Sequence, residues 1–124
     1  MRRFIVSQVK LEHLYKRFGS VTAVGDFNLD VADGEFISFL GPSGCGKSTT
    51  LRMIAGFERP TEGNILLGDT VVSSAESHVF VPPEKRNIGM VFQSYAVWPH
   101  MTVGENVAYP LKIQKVSREE RKKR

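Results

Sequence analysis

Eight consecutive residues of this 124-residue chain have the types and spacing needed to hold a phosphate group. Residues 41–48 read GPSGCGKS and fit the pattern G-x-x-x-x-G-K-[S/T]. Glycines here let successive backbone N–H groups point inward, and a helix that starts at this point adds a dipole that favours an anion. Lys47 then reaches the outer phosphates, and Ser48 offers an oxygen ligand to magnesium. The pattern therefore predicts a phosphate-binding loop.

Such a loop is positioned by a strand before it and a helix after it, and the sequence predicts both. Residues 36–40 form an apolar run without alternation, which predicts a strand buried on both faces, and residues 88–92 predict a second strand of this kind. Residues 47–55 lack helix breakers and are followed by Gly56, so we expect a helix with a glycine stop.

The segments on either side of this core predict further strands. Apolar and polar positions alternate between glycines up to residue 35, which predicts antiparallel strands. Short strands are expected at residues 64–67 and 71–72. Residues 73–87 are polar and contain prolines, so they predict a surface loop.

Helical signals dominate the end of the chain. Thr102 and Glu105 have the spacing of a capping box, which predicts a helix from about residue 103 with an interruption at Pro110. The last seven residues have a helix-forming composition and no stop signal. We therefore expect the chain to end within an element.

Composition indicates a globular chain of at most one domain, with 41% hydrophobic and 24% charged residues. No apolar run approaches the ~18 residues that a membrane-spanning helix needs. The net charge of +4 comes entirely from residues 115–124, without interleaved aromatic residues, so we expect no nucleic-acid partner. The first ten residues are too polar for a signal peptide, and Cys45 is the single cysteine, so we expect a cytosolic protein.

Two stretches of the chain resemble the ATP-binding subunit of an ABC transporter. Residues 41–58 are similar to that family's phosphate loop and helix, and residues 89–96, GMVFQSYA, to its glutamine loop. The resemblance covers essentially the whole chain, and residues 98–107 look most like those of bacterial importers of ferric ion, polyamines, sulfate or sugars. It implies an α/β fold: a P-loop NTPase core of the ABC ATPase type with an N-terminal antiparallel β subdomain, truncated within the helical subdomain. The implied regions are 1–35 (antiparallel β region), 36–93 (P-loop core up to the glutamine loop) and 94–124 (start of the helical subdomain).

The same resemblance implies roles for individual residues. Phe18 matches the family's aromatic residue that stacks on adenine, with Tyr15 as a rival. Lys47 matches the lysine that neutralises the β and γ phosphates, and Gln93 the glutamine that contacts magnesium and the attacking water. The implied nucleotide-binding residues are Phe18, Gly41, Pro42, Ser43, Gly44, Cys45, Gly46, Lys47, Ser48 and Thr49, the implied catalytic residues Lys47 and Gln93, and the implied metal ligands Ser48 and Gln93.

The resemblance further implies ATP and Mg²⁺ as cofactors and an importer as the assembly. Its expected partners are transmembrane permease subunits, a second ATP-binding subunit in a head-to-tail dimer and, indirectly, a periplasmic or lipid-anchored solute-binding protein. The expected location is the cytoplasm, on the inner face of the membrane, with Trp98 and Pro99 in the docking region. Family members complete the catalytic site with an Asp-Glu strand, a downstream histidine and a serine-glycine signature. Since these 124 residues contain none of them, we expect ATP binding here and efficient hydrolysis only in the complete protein.

Two other classes of function remain open from the sequence. One is a nucleotide-binding module without catalysis, and the other is a different P-loop enzyme, such as a small kinase or an ABC ATPase that acts on DNA or ribosomes. His13, His78 and His100 lack metal-ligand spacing, so we expect them to be structural or exposed to solvent. Cys45 lies beside the predicted helix start, where we expect its alkylation to block nucleotide binding.

Overall fold

The computed structural model describes residues 8–124 and divides the chain into two compact units, one ending at Gly89 and the other formed by Met90–Arg124. The expectation about a signal peptide rests largely on residues 1–7, which lie outside the described residues. The elements are β1 (Val9–Phe18), β2 (Val21–Val31), α1 (Lys47–Ala55), β3 (Glu62–Leu67), β4 (Thr70–Ser74), β5 (Val79–Phe80), a 3₁₀ helix (Pro83–Lys85), α2 (Val103–Ile113) and α3 (Arg118–Lys123).

Within residues 8–124, five strands of the first unit form one antiparallel sheet in the order β2-β1-β3-β4-β5. Leu11 of β1 pairs with Leu29 of β2 on one side and with Ile65 of β3 on the other. The antiparallel strands expected before residue 35 are therefore confirmed, and so are the short strands near residues 64–67 and 71–72. The sheet combines strands that precede the glycine-rich loop with strands that follow it.

The core of the first unit joins α1 to this sheet. Met53 of α1 is completely buried and belongs to one cluster with side chains of β1 to β4. Burying a side chain of this size stabilises a fold by about 1.5–3 kcal/mol. The sheet residues of the cluster are Leu11, Leu14, Val24, Ile65 and Val72. Because α1 is held on the sheet in this way, the loop that precedes it is held as well.

The two buried strands predicted at residues 36–40 and 88–92 are wrong for this structure, which has both segments outside any strand. Phe36 is 89% exposed, Leu40 fully exposed and Val91 96% exposed. A strand is maintained by hydrogen bonds to a neighbouring strand, and the described part of the chain has no strand paired with either segment. Hydrophobicity alone was therefore a poor guide to burial here.

Two further expectations need correction. Residues 73–87 do not form a continuous loop: β4 extends to Ser74, and β5 and the 3₁₀ helix follow, because Ser73 and Ser74 pair with Phe80 and Val79. The expected interruption at Pro110 is also wrong, since α2 continues to Ile113. A proline lacks the N–H that would donate one helical hydrogen bond. Its carbonyl can still accept one, and the Pro110 carbonyl accepts from the Gln114 N–H at 3.0 Å.

Other helical predictions are confirmed. α1 spans Lys47–Ala55 and is followed by Gly56 in a left-handed conformation. α2 has the predicted capping box between Thr102 and Glu105, and α3 occupies the helix-forming end of the chain. Among the described residues, no helix has the length and apolar character to cross a bilayer.

Candidate phosphate-binding site

The start of α1 presents free backbone donors. Gly46 is the N-cap residue, with φ 92°, and no side chain caps the helix. The first helical hydrogen bond runs from the Thr50 N–H to the Gly46 carbonyl, at 2.8 Å. The N–H groups of Lys47, Ser48 and Thr49 precede that bond and have no helical acceptor. Because the first turn carries no acidic residue, this positive helix end favours an anion.

Lys47 extends its side chain back across the loop. Its Nζ donates hydrogen bonds to the carbonyl oxygens of Gly41 and Pro42, both at 2.7 Å, and lies 3.3 Å from Cys45 Sγ. Within residues 8–124 this ammonium group donates to two backbone carbonyls and to the Cys45 sulfur, and none of its hydrogen bonds goes to a carboxylate. The site therefore carries a full positive charge beside the free N–H groups of α1.

The loop rests directly on β2. A Cβ atom at Gly46 would lie 2.5 Å from the carbonyl oxygen of Ala23 and 3.0 Å from Val24 Cγ2. Only glycine fits a position this close to a backbone oxygen, and its positive φ adds a second reason. Val24 is itself buried in the core, so the phosphate-binding segment and the sheet are in contact without intervening side chains.

The pair of strands β1 and β2 also carries Phe18, the predicted adenine-stacking residue. Phe18 is the last residue of β1 and pairs with Val21, two residues before Ala23. The residue is 49% exposed, and Lys16 Nζ lies 4.7 Å from the centroid of its ring. The rival residue Tyr15 has its ring covered by the Arg17 guanidinium, at 4.7 Å. A half-exposed aromatic residue at the end of the strand paired with β2, which contacts the loop, suits stacking on a base.

The predicted magnesium ligands lie in different units. Ser48 is exposed in the first unit, and its hydroxyl makes no hydrogen bond within the described part of the chain. Gln93 is exposed in the second unit, at the start of a turn over residues 93–96 in which Tyr95 and Ala96 have positive φ. The oxygen atoms of these two side chains are of the type that magnesium prefers.

The histidines contribute no metal site. His13, His78 and His100 are all exposed, and the described residues contain no group of His, Cys, Asp or Glu side chains that can hold a metal ion. His13 contacts Asp26 across the β1–β2 pair, with Nδ1 and Oδ1 2.8 Å apart.

Arg86 is a structurally important residue that the sequence reasoning missed. It is only 5% exposed, and its guanidinium donates to the carbonyls of Met53 and Ile54 at the end of α1, at 2.7 and 2.8 Å. Further bonds reach Val81 at 2.7 Å and Val72 at 3.3 Å. Burial lowers the pKa of Arg86, yet an arginine in a protein stays charged. The positive charge suits the negative end of the helix. Its position in a polar segment gave no sequence signal of this role.

A glycine-rich loop, a helix with a free positive end and a lysine that crosses the loop define the class of P-loop proteins. A family model described as ABC transporter matches residues 24–124. The chain belongs to the ABC transporter family.

Similar proteins support this assignment. The chain is 59% identical over 112 residues to the trehalose/maltose import ATP-binding protein MalK of Thermococcus litoralis. It is 49% identical over 116 residues to the spermidine/putrescine import ATP-binding protein PotA of Bacillus cereus. These alignments cover 90% and 94% of this chain but 30% and 34% of those proteins. The chain thus spans about a third of the length of these relatives.

Solved structures confirm the predicted fold class. The dimeric structure of MJ0796, a bacterial ABC transporter cassette, matches with a TM-score of 0.78 and 32% identity over 93% of this chain and 53% of that chain. The same cassette in a post-hydrolysis state bound to ADP and Pi matches with a TM-score of 0.76 and 34% identity, with the same coverage. The chain therefore has the fold of the N-terminal part of an ABC ATPase.

Proposed function

We propose that this chain binds ATP as part of the ATP-binding subunit of an ABC importer. The observation that carries the proposal is the start of α1, where uncapped N–H groups and the Lys47 ammonium lie together without a nearby acidic residue in the helix. A triphosphate carries the negative charge that this arrangement lacks. The sequence relatives, which are named as import ATP-binding proteins, support the nucleotide and the transport role.

Each site residue has a specific proposed task. The backbone of residues 41–46 surrounds the phosphates, Lys47 neutralises the β and γ phosphates, and Thr49 contacts the α phosphate. Phe18 stacks on the adenine. The proposed nucleotide-binding set is Phe18, Gly41, Pro42, Ser43, Gly44, Cys45, Gly46, Lys47, Ser48 and Thr49.

Two exposed side chains offer oxygen donors of a type that binds Mg²⁺. The Ser48 hydroxyl is exposed and free of hydrogen bonds within residues 8–124, and the Gln93 side chain is exposed. We propose the Ser48 hydroxyl as a magnesium ligand because it occupies the Ser/Thr position of the P-loop pattern, and we propose the Gln93 side-chain oxygen as a second ligand from the family resemblance. When bound, Mg²⁺ neutralises charge on the phosphates.

We propose that the complete protein hydrolyses ATP, with Lys47 stabilising the phosphates and Gln93 orienting the attacking water. Phosphoryl transfer depends mainly on positioning and charge neutralisation. We propose that these residues provide the groups that hold the phosphates, and that efficient turnover needs further groups that are not among these 124 residues. We also propose the division of the chain that the family resemblance implies: an antiparallel β region that ends at residue 35, a P-loop core over residues 36–93 and the start of the helical subdomain over residues 94–124.

The second unit offers a surface for membrane partners. Trp98 is 47% exposed, and its ring is tilted against the Tyr109 ring, with the ring centroids 5.8 Å apart. Asn106 fixes this segment on α2, since it accepts a hydrogen bond from the Trp98 N–H at 2.8 Å and donates to the Trp98 carbonyl at 3.2 Å. Val97, Val103 and Val107 add exposed apolar area. Exposed apolar patches mark interaction sites, and we propose that transmembrane permease subunits dock here.

We propose two further partners. We propose a head-to-tail dimer with a second ATP-binding subunit, as supported by the dimeric ABC cassette of similar fold. A periplasmic or lipid-anchored solute-binding protein takes part indirectly, and the subunit lies in the cytoplasm on the inner face of the membrane. The relatives' names make sugars and polyamines the first cargo classes to test.

Reconstitution of the complete protein with its permease in liposomes tests this function. We expect MgATP to drive uptake of one of the probes maltose, trehalose or spermidine, with ATP hydrolysed in parallel. ATP binding without hydrolysis would instead support a non-catalytic module. Hydrolysis that no membrane partner stimulates would support a P-loop ATPase of another kind.

A further inference from the structure

Lys16 has an unusual environment for a surface lysine. Its side chain is only 13% exposed, and its Nζ lies 2.6 Å from Glu58 Oε1 and donates to the Arg59 carbonyl at 2.9 Å. The same ammonium lies 4.7 Å from the centroid of the Phe18 ring. One group therefore contacts a carboxylate, a carbonyl and an aromatic ring at once.

Glu58 is itself tied to α1. The N–H groups of Phe57 and Glu58 both donate to the Arg52 carbonyl, at 2.9 and 3.3 Å. Glu58 thus sits on the turn that ends the helix, three residues after Ala55. The path from Phe18 through Lys16 to Glu58 therefore connects the ring at the end of β1 with the helix whose other end carries the phosphate-binding groups.

A partly buried ammonium next to an aromatic face makes a stronger cation–π contact than an exposed one, because water competes less for the charge. The carboxylate and the carbonyl fix the ammonium position, so the ammonium fixes the ring in turn. The ammonium lies over one face of the Phe18 ring, and Phe18 as a residue remains 49% exposed.

We propose that Lys16 is a positioning residue for the nucleotide base. Anchored by Glu58 and the Arg59 carbonyl, it holds the Phe18 ring so that its other side stacks on adenine. The inference rests on the proposed function of ATP binding, and it assigns part of the base affinity to a residue that does not touch the nucleotide.

The experiment compares two ligands in the complete protein by calorimetry: ATP, which has a base, and inorganic tripolyphosphate, which has none. Lys16→Met keeps the apolar stem and removes the charge. We expect it to weaken ATP binding about tenfold and to leave tripolyphosphate binding within about twofold of wild type. Lys16→Arg keeps a cation over the ring and should restore most of the ATP affinity.

The matched control is Lys10→Met. Lys10 is also on β1 and also forms an ion pair, with Glu12 at 2.7 Å, but it has no contact with Phe18 in the described structure. This variant should bind both ligands as wild type does. Glu58→Gln, which removes the anchoring charge but keeps an acceptor, should weaken ATP binding by a smaller factor than Lys16→Met.

A double variant tests the route of the effect. In a Phe18→Ala background, Lys16→Met should cause no further loss of ATP affinity, because the ring it positions is gone. Additive losses, equal losses for ATP and tripolyphosphate, or unchanged ATP affinity in Lys16→Met would each overturn the inference. If the wild-type protein binds no ATP at all, the proposed function itself fails, which is a distinguishable outcome.

Discussion

Gly46 lies so close to Ala23 that a methyl group at position 46 would be 2.5 Å from the Ala23 carbonyl oxygen. This close approach places the phosphate-binding loop directly against the backbone of β2. Since the following helix is held on the sheet by the buried Met53, the geometry of the loop depends on both the sheet and the helix.

The contact predicts a large effect of Gly46→Ala. The added methyl group has to displace backbone and also adopt φ near 92°, so we expect a loss of about 2–4 kcal/mol in the free energy of unfolding and a loss of ATP binding. Gly34→Ala is the control, because Gly34 has φ 76° with no atom within 4 Å of the added methyl group. It should cost only about 1 kcal/mol and keep ATP affinity. Equal effects of the two substitutions would argue against the contact.

Arg86 provides a prediction about stability. Arg86→Met fills a similar volume but removes the hydrogen bonds that the guanidinium donates to the carbonyls of Met53 and Ile54 at the end of α1, so the free energy of unfolding should fall by about 2–4 kcal/mol. Arg59→Met is a matched control: Arg59 is exposed and stacks on the same Phe80 ring as Arg86, at 4.1 Å compared with 5.2 Å. It should lose less than about 1 kcal/mol. Urea unfolding of both variants measures the difference, and similar losses would show that the stacking, not the carbonyl bonds, matters.

Cys45 allows a chemical test of the loop. Its thiol is exposed and lies 3.3 Å from Lys47 Nζ. Alkylation with N-ethylmaleimide places bulk beside the phosphate-binding groups, so we expect ATP affinity to fall more than about tenfold and bound ATP to slow the labelling. A Cys45→Ser variant treated in the same way is the control. Unchanged ATP affinity after labelling that mass spectrometry shows to be complete would reject this steric effect.

The capping box of α2 predicts a pH dependence. The pKa of Glu105 is lowered, first by the hydrogen bond from the Thr102 backbone N–H and then by the Thr102 hydroxyl. A lowered carboxyl pKa stabilises the folded state above the unfolded pKa of about 4.3, and this stabilisation is lost as the pH falls through the folded value.

Helix content or hydrogen exchange of α2, followed from about pH 6 to about pH 3, measures this loss. Glu105→Gln is the control, since its side chain does not titrate and should show no comparable step. The same pH profile in both proteins would contradict the prediction.

Local signals predicted a large part of this structure. The helix after the loop, its glycine stop and the Thr102–Glu105 cap depend on neighbouring residues, and they were predicted correctly from the sequence. Burial of residues 36–40 and 88–92 depends on distant partners, and there the sequence pattern failed. The contacts of Lys16 with Glu58 and of Arg86 with Met53 join residues more than 30 positions apart, which no periodicity reveals. The proposed roles of Gln93 and Phe18 come from resemblance and remain predictions.

The central claim is that the loop before α1 binds the triphosphate of ATP. Its most direct test is the ATP affinity of Lys47→Ala in the complete protein, beside Lys85→Ala, an exposed lysine outside the loop. We expect Lys47→Ala to weaken ATP binding at least about a hundredfold, because it removes a charged hydrogen bond to the phosphates. We expect Lys85→Ala to bind ATP as the wild type does. ATP affinity retained in a folded Lys47→Ala protein would contradict the claim.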